Sequence, residues 1–276
     1  RYDGPNQPRA IACYTAFFSL GVANSYLLAG ALGDIFGWQM VFWATGSAAA
    51  LAVVLVFALL RHQKPPPQET NESLLDFRPI LRDRAVMGYV LGYAVHAWEL
   101  LGLRAWIVAF LAFSLSASGG ASIVQPTLAA ALGAILATGA SIVGGELASR
   151  YGRRRVISLI MIASALAGCS IGFAGTLPYS WVIGLTMLYI VLVQGESAAL
   201  TTGTVQAAPA GRQGATLAVH SIFGFTGGFF GPLVFGIALD GFGGLGSETA
   251  WGVAFATIGV AVAVGPVFLL LTRERR

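Results

Sequence analysis

Eight long apolar stretches constrain this chain more than any other feature of its sequence. They cover residues 10–33, 39–61, 86–113, 123–148, 156–175, 180–203, 214–239 and 250–272. A bilayer core about 30 Å thick takes roughly 20 apolar residues in a helix, so each stretch is long enough to cross it. The short alternating segments typical of a transmembrane β-barrel are absent from the sequence. The sequence therefore predicts an all-α, polytopic membrane protein with eight transmembrane helices.

Composition supports the same fold class. Only 10% of the 276 residues are charged and 56% are hydrophobic, whereas a soluble domain is about one-quarter charged. This excludes a disordered chain, a collagen and a disulfide scaffold, and it argues against a soluble enzyme. Cys13 and Cys169 lie far apart inside apolar stretches and predict neither a disulfide framework nor a metal site. We expect no cofactor.

The basic residues predict how the helices are oriented. If residues 1–9 are cytoplasmic, 15 of the 16 Lys and Arg residues fall in inside segments, and the outside loops hold none. Such an asymmetry follows the positive-inside rule, so the positive charge marks loops and does not indicate nucleic-acid binding. The exception, Arg104, lies within the third stretch. We expect a multi-pass protein of the cytoplasmic (inner) membrane with both ends of the chain in the cytoplasm.

One connection is longer and more polar than the others. Residues 62–85 contain Pro65, Pro66 and Pro67 together with a cluster of charged residues. A proline-rich polar segment between helical arrays is typical of a linker. We therefore divide the chain into residues 1–61, a cytoplasmic linker at 62–85, and residues 86–276. Residues 74–82 within the linker could form a short amphipathic piece on the membrane surface.

A sequence pattern is repeated near the two ends of the chain. The pattern G-x-x-x-D-x-F-G occurs at residues 30–37 and again at 236–243, and its defining residues are Gly30, Asp34, Gly37, Gly236, Asp240 and Gly243. Six apolar stretches separate the copies, so both have the same orientation. Two parallel halves of six helices each form a known transporter plan. Residues 1–61 would then hold the last two helices of a first half, residues 86–276 a complete second half, and four helices would precede this sequence.

The connection between the fourth and fifth stretches carries a recognisable motif. Residues 145–155 read Gly-Glu-Leu-Ala-Ser-Arg-Tyr-Gly-Arg-Arg-Arg. This resembles the G-x-x-x-D-R-x-G-R-R cytoplasmic loop of the major facilitator superfamily, between helices eight and nine of twelve; its matching positions are Gly145, Arg150, Gly152, Arg153 and Arg154. Ser149 stands where the motif has Asp, which weakens a gating role. The resemblance implies helices five to twelve, a central cavity between two halves, and alternating access.

A second family motif is not reproduced. Antiporters of the superfamily resemble one another in a G-x-x-x-G-P-x-x-G-G motif on helix five, but residues 21–30 lack the Gly-Pro pair. The pair appears in the repeat partner, as Gly231 and Pro232 after Gly227. This argues against a drug-efflux antiporter. Close helix packing is the simpler interpretation of small residues at these spacings.

The third stretch holds the strongest candidates for a transport site. Tyr89, Tyr93, His96, Glu99 and Arg104 fall on one broad helical face, and we expect their polar ends to converge on a cavity, which helix seven lines in the resembled family. Ionisable residues within a membrane are functional candidates by default. Glu99 with His96 could bind and release a proton, and Arg104 could pair with a substrate carboxylate. A neutralised Glu99–Arg104 or His96–Glu99 pair that only fixes helix packing is the alternative.

The sixth and seventh stretches contribute weaker candidates. Gln194, Ser197, Thr201 and Thr204 share a face of the sixth stretch, from which Glu196 is predicted to point away. Glu196 could contact a neighbouring helix as readily as a substrate. His220, near the cytoplasmic end of the seventh, is interpreted as solvated. Residues 168–172 match G-x-S-x-G literally, but a nucleophile elbow needs a strand-to-helix turn, which an apolar span does not provide.

These features predict a function without enzyme chemistry. The sequence contains no phosphate-binding loop for ATP, so we expect a secondary active transporter that moves a small solute across the cytoplasmic membrane by alternating access. Proton-coupled symport of a small organic anion is the specific hypothesis. The alternatives are an efflux antiporter of the same superfamily and a non-transporting membrane protein, such as a sensor, assembly factor or decayed fragment. The expected partners are a small-molecule substrate, protons and lipid, and we expect a monomer.

Overall fold

The computed structural model of the chain describes residues 7–60 and 76–270, with side chains described from residue 18 onward. Helices account for nearly all of this part of the chain, and it contains no β-strand. The helices are α1 (Gln7–Phe36), α2 (Trp38–Leu59), α3 (Arg78–Arg82), α4 (Arg84–Ala117), α5 (Pro126–Tyr151), α6 (Arg153–Ile171), α7 (Tyr179–Gly195), α8 (Ser197–Ala207), α9 (Gln213–Gly241), α10 (Glu248–Ala263) and α11 (Gly265–Leu269).

These helices reproduce the predicted membrane spans. Within the described residues, seven helical segments are long and apolar enough to cross a membrane; α1, at 30 residues, is not among the seven. The prediction of a polytopic all-α membrane protein is confirmed. Two spans differ from the prediction because they are not continuous helices. The sixth is interrupted at Glu196, between α7 and α8, and the eighth at Val264, between α10 and α11.

Helices α4 and α9 pack with almost no side chain between them. A Cβ atom added at Gly227 would collide with the Ala94 carbonyl, and one added at Gly231 would collide with the Trp98 carbonyl. Small residues allow such close backbone approach, which is how membrane helices gain van der Waals contact when water provides no hydrophobic drive. The α4–α9 pair is therefore a firm platform for the side chains that α4 carries.

An aromatic cluster fills the core near the C-terminal end of α4. Phe110 and Phe255 lie 4.8 Å apart between ring centroids, and Trp106 stacks on Phe235 at 5.5 Å. The Trp106 Nε1 atom also donates to the carbonyl of Pro232 at 3.1 Å. These contacts join α4, α9 and α10 into one packed body, the second half of the predicted arrangement.

The last glycine of each copy of the repeat has a positive φ. Gly37 separates α1 from α2 with φ of 80°, and Gly243 follows α9 with φ of 117°. Both values lie in the left-handed region that L-residues with a side chain disfavour, which accounts for glycine at the last position of each copy. Asp34 and Asp240 are exposed. Gly30 and Gly236 instead lie against side chains of other helices, Thr127 and Trp106 respectively.

Most of the predicted linker, residues 62–75, lies outside the described residues. Its end forms α3, whose Ile80 is completely buried and packs in a cluster with Val86, Val90 and Val219. Asp83 then caps α4, since its Oδ1 accepts from the amides of Ala85 at 2.9 Å and Val86 at 3.3 Å. This part of the linker is thus fixed onto α4 and α9. The division of the chain into halves stays a prediction.

The loop with the family motif is a tight reversal between α5 and α6. Gly152, with φ of 94°, is the single residue between the two helices. Arg150 Nε lies 2.6 Å from Glu146 Oε1 in an exposed ion pair, and Arg153 donates to Gln206 Oε1 at 2.6 Å. The motif therefore ties the ends of α5 and α6 to the end of α8. Gly145 lies on the same side, against Ala198.

Candidate functional site

Two carboxylic acids lie in the interior of the second half with no exposed surface. Glu99 comes from the middle of α4, and Glu196 comes from the interruption between α7 and α8. His96, one helical turn before Glu99, is also completely buried. An ionisable group at membrane depth costs several kcal/mol unless it is paired, so three in one region make this a candidate functional site.

The buried histidine pairs with the acid at the helix interruption. His96 Nδ1 lies 3.0 Å from Glu196 Oε1. The other ring nitrogen of His96 and the second carboxylate oxygen of Glu196 have no hydrogen-bond partner. A single proton can occupy either side of the short contact, so the pair can be neutral as a whole while each member changes its charge.

Glu99 has a separate set of partners. Its Oε1 atom accepts hydrogen bonds from Ser164 Oγ and from the Tyr189 hydroxyl, each at 2.8 Å. Ser164 lies on α6 and Tyr189 on α7. The second oxygen, Oε2, has no partner. Two hydroxyl donors on one oxygen stabilise a carboxyl group in an apolar interior and fix its orientation.

A second histidine extends this polar region towards α9. The ring of Tyr93 stacks on His220 at 3.8 Å and lies 5.6 Å from His96. His220 Nδ1 lies 3.1 Å from Thr204 Oγ1 on α8. The prediction that His220 is solvated is wrong, because only 5% of the residue is exposed; the close approach of α4 and α9 at their glycines buries it.

Arg104 occupies a different place, in a recess between the two predicted halves. Val22 and Tyr26 of α1 line this recess together with α4, α5 and α7. The Arg104 guanidinium donates to Gln194 Oε1 at 3.4 Å and lies 5.4 Å from the ring of Phe18. The Tyr26 hydroxyl donates to the Arg104 carbonyl at 3.1 Å. Most of the remaining lining is aliphatic: Leu100, Leu103, Ile107, Ala130, Ala134, Ala137, Ile190 and Val193.

The structure divides the predicted polar face of α4 into two places. Arg104 lines the recess, whereas His96 and Glu99 are enclosed among α6, α7 and α8. Tyr93 packs on Gly224, and Tyr89 packs on Gly203. The expected convergence of all five side chains on one cavity is therefore wrong, because the face is broad enough to contact several helices.

The alternative pairs predicted on α4, Glu99–Arg104 and His96–Glu99, do not form either. Among the described residues, Glu99 makes no ion pair with Arg104 or His96, and the side-chain partner of His96 is Glu196. Arg104 has no carboxylate within ion-pair distance in that part of the chain. Within the described residues, no three or more His, Cys, Asp or Glu side chains form a cluster suited to a metal ion.

The candidates from the sixth span are also separated. Gln194 reaches Arg104, while Thr201 donates to the carbonyl of Ser197 along its own helix at 3.2 Å. Glu196, which was predicted to point away from this face, also contacts α4, through His96. Positions two apart on a helix differ by about 200°, yet Gln194 reaches Arg104 and Glu196 reaches His96. The backbone at Glu196 stays close to helical, with φ of −93° and ψ of −15°, so the two residues contact α4 at different heights.

Sequence reasoning missed Glu196, Ser164, Tyr189 and Tyr26. A carboxylate beside a glycine in an otherwise apolar span was a usable signal for Glu196. The sequence gives no such signal for Ser164, Tyr189 and Tyr26. Isolated Ser and Tyr residues are common in apolar stretches, and their contacts depend on how separate helices pack.

Comparisons with known proteins agree with this architecture. A crystal structure of a bacterial homologue of the human lysosomal transporter Spinster, inward-facing and unoccupied, matches with a TM-score of 0.66 at 16% identity, over 97% of this chain and 69% of that chain. An inward-facing, occupied structure of such a homologue matches with a TM-score of 0.63 at 16% identity, over 97% and 68%. No curated protein sequence matches. The family model described as Major Facilitator Superfamily matches residues 1–232, and the chain belongs to that superfamily of membrane transporters.

Proposed function

We propose that the protein is a secondary active transporter that moves a small organic anion across the cytoplasmic membrane by alternating access, coupled to protons. Arg104 carries this proposal. It lies in a recess formed by α1 from one predicted half and by α4, α5 and α7 from the other. A site between two halves that rock against each other is open to each side in turn, as transport requires.

The chemistry around Arg104 favours an anionic substrate. Its guanidinium is partly buried and contacts an amide oxygen and an aromatic ring, Gln194 and Phe18. Among the described residues no carboxylate neutralises it. A planar guanidinium presents a fork of donors that fits a carboxylate in a bidentate manner. A substrate carboxylate would supply the charge that the protein does not.

Proton coupling is assigned to Glu99, assisted by His96. Both are completely buried in the second half, outside the recess. The hydroxyl donors Ser164 and Tyr189 hold Glu99 in place, and one oxygen of Glu99 and one nitrogen of His96 are without partners and available to a proton. Separate anion and proton sites on one helix, α4, provide a means by which occupancy of one affects the other.

Placement in the membrane follows from the charge pattern. We place both ends of the chain in the cytoplasm and the protein in the inner membrane as a monomer, with the substrate, protons and lipid as its partners. The strongest support is the exposed Arg150–Glu146 pair and the Arg153–Gln206 contact, which gather basic residues at one end of the helices.

Two other functions have less support. An efflux antiporter would share the fold, but residues 21–30 lack the Gly-Pro pair of the antiporter motif. A non-transporting sensor or assembly factor is the second rival. The coding sequence upstream separates it from a transporter: four further spans with another G-x-x-x-D-R-x-G-R-R loop favour transport, and a stop codon or an unrelated domain favours the rival.

The proposed function is tested by uptake into proteoliposomes that contain the purified protein. A panel of radiolabelled mono- and dicarboxylates is offered with and without an inward proton gradient. We expect at least one carboxylate to accumulate above protein-free liposomes, and the gradient to increase its accumulation. Uptake of cationic or neutral solutes alone, or carboxylate uptake that is indifferent to the gradient, contradicts the proposal.

A further inference from the structure

The interruption of the sixth span is an unusual feature of the second half. Helix α7 ends at Gly195, α8 begins at Ser197, and Glu196 lies between them with φ of −93° and ψ of −15°. No proline in the described part of this span explains the interruption. Gly144 of α5 packs directly on the Gly195 carbonyl, where a Cβ atom would not fit. The backbones of α5 and α7 therefore pack directly against each other beside the interruption.

Two residues at this interruption contact α4 at two points. Gln194 accepts a hydrogen bond from the Arg104 guanidinium at 3.4 Å. Glu196 lies 3.0 Å from His96 Nδ1. His96 and Arg104 are eight residues apart on α4, which corresponds to about 12 Å along a helix axis. The same short segment thus contacts both the buried polar region and the recess.

The contact at His96 is the stronger of the two. His96 and Glu196 have no exposed surface, so their interaction is not weakened by solvent. His96 also belongs to the α4–α9 platform, because Gly227 contacts the backbone of α4 two residues before it, at Ala94. Gln194, in contrast, borders the recess and is 9% exposed. The His96–Glu196 contact can therefore determine where Gln194 lies relative to Arg104.

We propose that Glu196 is a positioning residue for the anion site. Through His96 it fixes the interruption against α4, and this places the Gln194 amide oxygen on the Arg104 guanidinium. Without the Glu196 contact, residues 194–196 lose their attachment to the platform and Gln194 moves away from Arg104. The inference rests on the proposed function only in taking Arg104 as the anion site.

Chemical modification of Arg104 by phenylglyoxal tests this without any substrate. The full chain is purified in detergent micelles, and the rate at which Arg104 is modified is followed by mass spectrometry of the peptide that contains it. Gln194→Ala frees the guanidinium and is expected to raise the rate roughly fivefold. Glu196→Ala is expected to raise it by a similar factor. The double variant is expected to match either single variant, because both changes remove one interaction.

Three further variants test the His96–Glu196 contact. Glu196→Gln offers both an acceptor oxygen and a donor N–H to His96 Nδ1, so it can keep the contact in either tautomer, and it is expected to stay within about twofold of the unmodified chain. Thr204→Val removes another buried polar contact of α8, to His220, and is the matched control with no expected effect. If Glu196→Ala does not fold, His96→Ala removes the same contact from the α4 side and is expected to accelerate modification equally.

Modification rates of Arg104 test the positioning role of Glu196, and carboxylate uptake tests the proposed function. Wild-type modification rates in Glu196→Ala or His96→Ala, or effects of Glu196→Ala and Gln194→Ala that multiply in the double variant, overturn the positioning role. An unchanged rate in Gln194→Ala also overturns it. Failure of Arg104 variants to alter carboxylate uptake contradicts the proposed function alone, since the modification rates do not depend on transport.

Discussion

His96 Nδ1 lies 3.0 Å from Glu196 Oε1, and neither side chain has any exposed surface. The pair joins α4 to the interruption of the sixth span, 100 residues later in the chain. Removing one member of a buried hydrogen-bonded pair leaves the other as an unsatisfied polar group in the interior. This contact therefore links the stability of the second half to the geometry of its candidate site.

Substitution of the buried acid is expected to destabilise the protein strongly. Glu196→Ala leaves His96 Nδ1 without its hydrogen-bond partner in the interior, and we expect the free energy of unfolding to fall by about 1–3 kcal/mol. Denaturant titration in detergent micelles, followed by tryptophan fluorescence, measures this change. The double variant His96→Ala/Glu196→Ala is expected to lose less than the sum of the two single losses.

An exposed ion pair provides the matched comparison. The side chains of Arg150 and Glu146 are 67% and 57% exposed, so Glu146→Ala is expected to cost no more than about 1 kcal/mol. If Glu196→Ala and Glu146→Ala have equal effects, the buried contact does not hold the second half together as described.

Glycine at the α4–α9 contact is expected to be required for its small size. Gly227→Ala places a methyl group against the Ala94 carbonyl, and because backbone cannot give way, we expect a loss of about 1–3 kcal/mol. Gly214→Ala, in the same helix with no heavy atom within 4 Å of the new Cβ, is expected to be neutral or stabilising. Equal unfolding midpoints for the two variants would refute the close packing of these helices.

The repeat glycines are expected to be sensitive for a different reason. Gly37 and Gly243 have φ of 80° and 117°, where an added side chain costs about 1–2 kcal/mol. Gly37→Ala and Gly243→Ala should each lower the unfolding midpoint, whereas Gly21→Ala, within α1 and without close neighbours, should not. Insensitivity of both repeat positions would mean that the turns tolerate other conformations.

Proton coupling is expected to depend on Glu99. Glu99→Gln keeps an oxygen that can accept from Ser164 and Tyr189 but cannot release a proton. We expect uptake driven by a proton gradient to be lost, while exchange of labelled for unlabelled substrate continues, because exchange needs no net proton movement. The comparison is made in proteoliposomes with and without an imposed gradient.

Two outcomes bear against that assignment. Gradient-driven uptake that persists in Glu99→Gln removes Glu99 as the proton carrier. Loss of both uptake and exchange, together with a normal unfolding midpoint, assigns Glu99 a role other than proton coupling. Ser164→Ala, which removes one of the two donors to Glu99, is expected to retain coupled uptake at a reduced rate.

The fold was predictable because the bilayer imposes simple rules on sequence. The length of each apolar stretch and the side on which Arg and Lys residues lie define helical spans. The turn at Gly152 and the repeat turns at Gly37 and Gly243 were also visible, as glycines at the ends of short motifs. These are local properties, and neighbouring residues determine them.

The candidate site was only partly predictable because it depends on contacts between distant residues. A helical wheel places Arg104 and Glu99 on one broad face, but it does not show that α1 covers Arg104 while α6 and α7 enclose Glu99. It also assumes a continuous sixth helix and directs Glu196 away from α4, although Glu196 and Gln194 contact α4 at different heights. Only packing, as at Gly144 against Gly195, reveals the interruption.

Carboxylate transport by Arg104 variants in proteoliposomes tests most directly whether Arg104 binds the transported anion. For a carboxylate transported by the unaltered chain, we expect Arg104→Ala to abolish concentrative uptake. Arg104→Lys should raise the half-saturating concentration roughly tenfold or more, because an ammonium group lacks the planar fork of donors. Arg84→Gln, which removes an exposed charge at the start of the same helix, serves as the control and should transport normally. Full carboxylate uptake by Arg104→Ala, at the half-saturating concentration of the unaltered chain, would contradict the central claim that Arg104 binds the transported anion.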